Sequence, residues 1–246
     1  MKKFLWDKNQ ETLDTLFGGQ LQIIQEKAGY RFSIDALLLA HFALIRPRER
    51  VIDLGTGCGV IPLTLIFRRK AAKVIGVEIQ PALADLARRN ASLNRMASRI
   101  NVWEKDFKSF KGNVYAGRFD VVITNPPYRR IGSGRLNPQE EKARARHEIH
   151  ATLDDTLKAA FFLLKDKGRI YMIYPASRTA DLIQCLRRLH LEPKQLQFVH
   201  SRRSGEARLL LVEAYKEGRP ETFIRPPFIL YGEGGQYTEE AKGLFT

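Results

Sequence analysis

Apolar and polar positions along the chain fall into blocks whose period changes. From about residue 50 onward, short apolar runs that suit strands alternate with segments carrying an apolar stripe at helical spacing. Val51-Ile52-Asp53-Leu54 predicts a first strand, followed by a glycine loop and an apolar-faced helix through Arg69. Lys73–Ile79 predicts a second strand. Pro81 sits where a helix begins, and that helical pattern runs to about Asn94. Ile100–Trp103 and Phe119–Thr124 predict the third and fourth strands; Val121–Ile123 is apolar on both faces, as a buried parallel strand requires. Thr152-Leu153-Asp154-Asp155 has the form of a capping box for a helix to about Lys165. Gly168–Tyr174 predicts a fifth strand, and Ser177 is a candidate cap for a helix ending near His190. Gln195–His200 and Arg208–Tyr215, joined by Ser201–Ala207, are spaced for an antiparallel pair at one edge. The expected fold is α/β: a doubly wound, mostly parallel seven-stranded sheet closed by an antiparallel strand.

All 246 residues are expected to form one domain, with a cap segment at 1–49, a core at 50–216 and a surface tail at 217–246. Phe32-Ser33-Ile34-Asp35 followed by Ala36–Ala43 suggests a short helix near the rim of the sheet. The tail holds Pro220, Pro226, Pro227 and several glycines, which points to irregular structure wrapped on the surface.

Composition changes the picture in one respect. Lys+Arg 41 against Asp+Glu 27 gives a net charge of +14, which favours a polyanionic partner, nucleic acid first. Cys58 and Cys185 are far apart and lack metal-ligand spacing, which suits a reducing compartment and no disulfide framework. The basic, briefly apolar start Met1–Trp6 is ended by Asp7-Lys8-Asn9 before a signal core forms, and the apolar stretch Ala36–Ile45 is too short for a bilayer. A cytoplasmic protein with no membrane segment is expected.

The candidate chemistry starts at the end of the fourth strand. In Asn125-Pro126-Pro127-Tyr128 the two prolines stop the sheet, because neither donates to a ladder and the first holds Asn125 extended. What remains is an amide oxygen, unpaired carbonyls and an aromatic ring. That set either forms a simple turn or grips a planar molecule with an amino group at its edge. An aryl or amide nitrogen is a poor nucleophile because its lone pair is delocalised. Two acceptors holding its N–H bonds, the Asn125 side-chain oxygen and the Pro126 carbonyl, favour the pyramidal form, with Tyr128 stacked on the ring.

Upstream, Asp53-Leu54-Gly55-Thr56-Gly57-Cys58-Gly59 joins the first strand to its helix. Its glycines differ from the G-x-G-x-x-G fingerprint, and no Lys-Ser/Thr follows as in a phosphate loop. Glu78 ends the second strand, 19 positions beyond Gly59, where a carboxylate can accept both hydroxyls of a ribose. Asp106, past the third strand, could take an adenine amino group with Phe107 against the ring. Loop, ribose acid and adenine acid in this order resemble the S-adenosylmethionine site of Rossmann-like class I methyltransferases. The cofactor residues that this implies are Asp53, Gly55, Thr56, Gly57, Cys58, Gly59, Glu78, Ile79, Asp106, Phe107 and Asn125. Phe32 and Asp35 either close one side of that pocket or are an ordinary helix start.

With Asn125–Tyr128 included, residues of about 30–215 resemble the amino-group methyltransferases of the NPPY type. Arg31-Phe32-Ser33-Ile34-Asp35-Ala36-Leu37-Leu38-Leu39 and Arg146-His147-Glu148-Ile149-His150-Ala151-Thr152-Leu153 are similar to the bacterial tRNA1(Val) (adenine-37-N6)-methyltransferase family. The resemblance implies methylation of the exocyclic amine of the adenine beside the anticodon, with Asn125, Pro126, Pro127 and Tyr128 as the catalytic group. It is looser in 217–246. Glutamine methylation of release factors, guanine-N2 methylation of ribosomal RNA and a non-catalytic RNA-binding module are the alternatives. The first needs a helical substrate domain ahead of the core, where this chain has only about 49 residues, and intact motifs oppose decay into a bare module.

Other clusters give weaker signals. His147-Glu148-Ile149-His150 is not H-E-x-x-H, so its histidines do not share a helix face at the metal-binding spacing, and no metal is expected. Arg129 and Arg130, with Arg135, Lys142, Arg144 and Arg146, form either an RNA-contacting loop or a solvated one. Arg202, Arg203 and Arg208 at the last hairpin are a second candidate patch for RNA phosphates.

Overall fold

The computed structural model of the protein describes residues 6–28, 31–112, 114–126 and 151–245. Pro127, Tyr128, Arg129, Arg130, Arg135, Lys142, Arg144, Arg146, His147 and His150 lie outside the described residues.

The centre of the molecule follows the apolar runs. β3 (Val51–Leu54) and β6 (Phe119–Thr124) pair in parallel, with Val121, Val122 and Ile123 fully buried between two layers of helices. β4 (Val74–Glu78) and β5 (Ile100–Glu104) extend the sheet on one side, and β7 (Leu164–Pro175), β9 (Ala207–Lys216) and β8 (Leu191–Arg202) on the other. β9 runs antiparallel to both β7 and β8, and the other pairings in this sheet are parallel. The helices α1 (Ile34–Phe42), α2 (Val60–Phe67) and α3 (Pro81–Leu93) cover one face. The helices α4 (Leu153–Leu163) and α5 (Thr179–Arg188) cover the other. Thr152 closes the expected capping box with Asp155.

Three expectations are corrected. Ser177 is not a cap; it lies inside a short 3-10 turn (Ala176–Arg178), where the Thr179 hydroxyl donates to the Ala176 carbonyl at 2.7 Å, and α5 begins one residue later than a Ser177 cap would give, with Arg178 in the cap position. The seven expected strands stand as β3–β9, but among the described residues two more bring the sheet to nine, and the tail that supplies them is irregular only in part. β10 (Phe223–Ile224) and β11 (Phe228–Tyr231) both pair in parallel with the outer edge of β8, and α6 (Glu239–Lys242) follows. Pro220, Pro226 and Pro227 are compatible with this because they flank edge strands, where a missing N–H breaks no ladder.

An N-terminal hairpin, β1 (Glu11–Leu16) and β2 (Leu21–Glu26), was not expected at all. Its alternation is blurred because Ile23 and Ile24 are buried consecutively. The second face is covered by α3. The Asn90 side chain accepts from Ile24 N (2.7 Å) and donates to Ile24 O (3.0 Å), and Asn94 does the same for Gln22 at 2.9 and 2.6 Å. Four residues of helix rise about 6 Å, and two residues of strand rise about 6.6 Å. Two asparagines one helical turn apart therefore match alternate peptide groups and close the free edge of β2 as a third strand would. Arg89 adds contacts to Glu11 at 3.0 and 2.5 Å.

Candidate active site

The sheet places the C-terminal ends of β3, β4, β5 and β6 on one rim. Between β3 and α2, the loop Asp53–Gly59 is pinned by Gly55 N and Thr56 N, which donate to Val77 O at 2.9 and 3.0 Å. Gly59 caps α2 in the left-handed region (φ 87°), and a Cβ there would press on Ala87 of α3 at 3.3 Å. Gly76, opposite Asp53 in β4, was missed by sequence reasoning. A Cβ on it would stand 2.9 Å from the Thr56 methyl and hydroxyl, so its bare backbone makes the room in which the Thr56 side chain sits. The Cys58 carbonyl accepts from Asn90 at 2.9 Å. Burial pushes the Cys58 thiol up to about 12, so its role is packing and not nucleophilic attack.

Glu78 ends β4 with 4 % exposure, its two oxygens accepting from Gly57 N at 2.9 Å and Gln80 N at 3.0 Å. Each carboxylate oxygen keeps further acceptor capacity. Ile79 follows, half-buried. Lys105 N donates to Glu78 O at 2.9 Å, which brings Asp106 next to the same rim position. Asp106 also serves its own turn, since Oδ1 accepts from Lys108 N at 2.9 Å and caps the short segment Phe107–Ser109. Phe107 is half-buried against the α4 side of the core.

Asp53 is the anomalous group. It is fully buried, and among the described residues neither of its oxygens has a hydrogen-bond partner; the Thr56 hydroxyl is likewise unsatisfied. Burial raises the Asp53 pKa to about 7, the nearby Thr56 hydroxyl opposes the rise and the Glu78 charge adds to it. An orphaned buried carboxylate at the head of a glycine loop suits a ligand that brings positive charge.

At the neighbouring strand end, the Thr124 hydroxyl donates to Leu54 O at 3.0 Å, and the two residues are register partners. Sequence reasoning missed Thr124. Its bond locks the tip of β6 to the tip of β3, so Asn125 and Gly55 leave adjacent strands about 4.8 Å apart. Asn125 is half-buried and Pro126 buried. α1 runs against the strands, since the Leu44 carbonyl beyond its C-terminus accepts from the Arg169 guanidinium at 2.5 Å, and Arg169 is the register partner of Val121 near the start of β6. Its first turn, with Asp35, therefore points to the rim. Phe32 N donates to Gln25 Oε1 at 2.8 Å, which ties that segment to the hairpin.

Arg202, Arg203 and Arg208 are exposed at the β8–β9 turn, on the same rim because Leu209 pairs with Pro175 at the end of β7. Among the described residues no cluster of three metal-ligating side chains occurs, and no helix is long and apolar enough to cross a membrane.

The methyltransferase small-domain family matches residues 33–188. The tRNA1(Val) (adenine(37)-N6)-methyltransferase of Porphyromonas gingivalis is 31% identical over 236 residues, covering 90% of this chain and 89% of its own. The chain belongs to the methyltransferase small-domain family and to the tRNA1(Val) (adenine(37)-N6)-methyltransferase group within it. The relative of the same name from Pasteurella multocida is 30% identical over 236 residues, covering 92% of each chain. Among solved structures, a predicted O-methyltransferase from Agrobacterium tumefaciens superposes with a TM-score of 0.69 at 24% identity, covering 85% of this chain and 94% of its own. P. horikoshii TYW2 in complex with MeSAdo gives 0.59 at 17% identity, covering 88% and 75%. These two likenesses carry the fold, a class I methyltransferase sheet; in this chain a hairpin precedes α1 and two tail strands lie beside β8.

Proposed function

We propose that the protein transfers a methyl group from S-adenosylmethionine to the exocyclic N6 amine of adenine 37 in a tRNA anticodon loop, in the cytoplasm. The substrate follows from the name shared by relatives aligned over about nine-tenths of the chain. The observation that carries the chemistry is the Thr124–Leu54 bond, which seats the Asn125–Pro126 acceptors beside the glycine loop.

Bound in the Asp53–Gly59 loop, S-adenosylmethionine supplies an electrophilic methyl on a sulfonium. Glu78, pre-oriented by Gly57 N and Gln80 N, accepts from the ribose hydroxyls, and Asp53 faces the cationic part of the cofactor. Asp106, Phe107 and Ile79 line the adenine end, with Phe32 and Asp35 on the α1 side. On the substrate side, the Asn125 amide oxygen and the Pro126 carbonyl accept the two N–H bonds of the target amine, while Pro127 completes the motif and Tyr128 stacks on the base. Alignment is the main source of rate, worth about 7–11 kcal/mol in a near-attack geometry. No strong base is needed, because an N-methylated aryl ammonium releases its proton readily. The base leaves its stack to reach the rim, which an anticodon loop permits more easily than a duplex. Arg129, Arg130, Arg202, Arg203 and Arg208 meet the loop phosphates.

Incubating the purified protein with labelled cofactor and total tRNA, then analysing nucleosides by mass spectrometry, tests this. N6-methyladenosine from an anticodon-loop fragment is the expected product. Label in another nucleoside, or in release-factor glutamine alone, would overturn it.

A further inference from the structure

The edge of the sheet opposite the catalytic rim carries a stripe of unneutralised cations. In sheet order β7, β6, β3, β4, β5, Lys167 lies in the irregular start of β7 and Arg118 stands just before β6. Arg48 stands before β3, Arg69 and Lys73 before β4, and Arg95 before β5. All six are exposed, and among the described residues none of their side chains holds an ion pair or hydrogen bond. Two acids on this edge are occupied, since Glu49 takes Arg169 and Arg46 N, and Asp120 takes Lys165 and Arg50 N; Asp166 beside Lys167 and Glu217 past the end of β9 are exposed and are outnumbered by the six cations. Adjacent strands are about 4.8 Å apart, so the stripe runs for roughly 19 Å. That is too long and too open for a mononucleotide, and it suits a polymer of phosphates.

Backbone conformation gives a second, independent sign. Arg48 (φ 70°), Arg69 (φ 56°), Arg95 (φ 58°) and Lys167 (φ 59°) all occupy the left-handed region that glycine or asparagine ordinarily fills. Favourable placement of cations at helix C-termini accounts for Arg69 and Arg95 after α2 and α3. It does not account for Arg48 or Lys167, which follow no helix end. Basic side chains held in strained positions motivate a functional reading.

We infer that this edge is a second RNA-backbone surface, which holds the body of the tRNA outside the anticodon loop while the loop occupies the catalytic rim. It rests on the tRNA reading above. The six residues of β6 span about 20 Å from edge to rim, less than one turn of duplex at about 34 Å, so one folded RNA can touch both. Most of the non-specific affinity then comes from the side of the protein away from the chemistry.

The test uses the full chain with R48G, R69G, R95G and K167G combined. Glycine fits each φ without strain, so thermal melting should report an intact fold while four charges are gone. Binding of a full-length tRNA transcript should weaken at least tenfold, and the slope of log affinity against log salt should become shallower by about three, at 0.7–0.9 per lost phosphate contact. Binding and turnover of the isolated anticodon stem-loop should stay at the wild-type level, and an Arg→Lys set at 48, 69 and 95 should behave as wild type on both RNAs. Unchanged tRNA affinity and salt slope in a protein whose wild type methylates tRNA would overturn the inference, as would an equal loss on the stem-loop. Failure of the wild type to methylate any tRNA would instead overturn the function above.

Discussion

Asn90 donates from one side-chain nitrogen to the Cys58 carbonyl at 2.9 Å and to the Ile24 carbonyl at 3.0 Å, joining the cofactor loop to the N-terminal hairpin through a fully buried amide. The glycine loop is thus braced from β4 through Val77 and from the hairpin through α3. A segment outside the parallel core helps to set the shape of the cofactor site.

Asn90→Ala should test that brace. It leaves the Ile24 N–H and two carbonyls without partners, at about 1–3 kcal/mol for each buried group left unsatisfied. Melting should fall, and calorimetry with S-adenosylhomocysteine should show affinity down several-fold. Asn94→Ala, whose bonds end at Gln22 and Asn90, should lower stability with cofactor affinity retained. Equal loss of cofactor affinity in both variants would refute a specific link to the loop.

Asn125→Ala removes one of the two acceptors assigned to the target amine. Turnover should fall at least about a hundredfold, the scale found for single oriented groups in active sites. Cofactor affinity should change little. Undiminished turnover would remove the acceptor role.

Asp53 gives a pH signature. Its folded pKa, about 7, lies above the ordinary 3.8. The folded state therefore holds the extra proton between those values. Stability from this group is full below about pH 4, declines as pH rises to about 7 and is flat beyond, a difference on the order of 4 kcal/mol at 1.36 kcal/mol per pKa unit. Denaturant midpoints across pH should show the decline in the cofactor-free protein and lose it in Asp53→Asn. Proton release on binding S-adenosylmethionine near pH 6, read from calorimetry in buffers of different ionisation enthalpy, should vanish in the same variant.

Gly76→Ala should behave as an active-site substitution although residue 76 lies within β4. The new methyl would meet Thr56 at 2.9 Å and force the loop to shift, with overpacking costing about 1–3 kcal/mol. A several-fold loss of cofactor affinity is expected. Wild-type affinity would show that Thr56 moves freely.

Local chemistry made the core legible. Val51–Leu54 and Phe119–Thr124 were expected at the boundaries observed, because a strand buried on both faces needs an unbroken apolar run. The glycine loop, Glu78 and Asn125 were readable because their spacing along the chain is the spacing of adjacent strand ends. Gly76 and Thr124 were not readable, since each acts on a residue of a neighbouring strand.

By itself, then, the sequence determined the strand–helix order, the parallel centre and the residue types at the rim, all properties of short-range pattern. Only the tertiary structure decided that β2 is closed by two asparagines from α3, that a proline-bearing tail adds two edge strands, and that exposed cations with no partner among the described residues line the edge away from the glycine loop. The reason is physical. A peptide edge, an edge strand and the pairing state of a charge are each defined by a partner far away in sequence, and folding alone selects that partner.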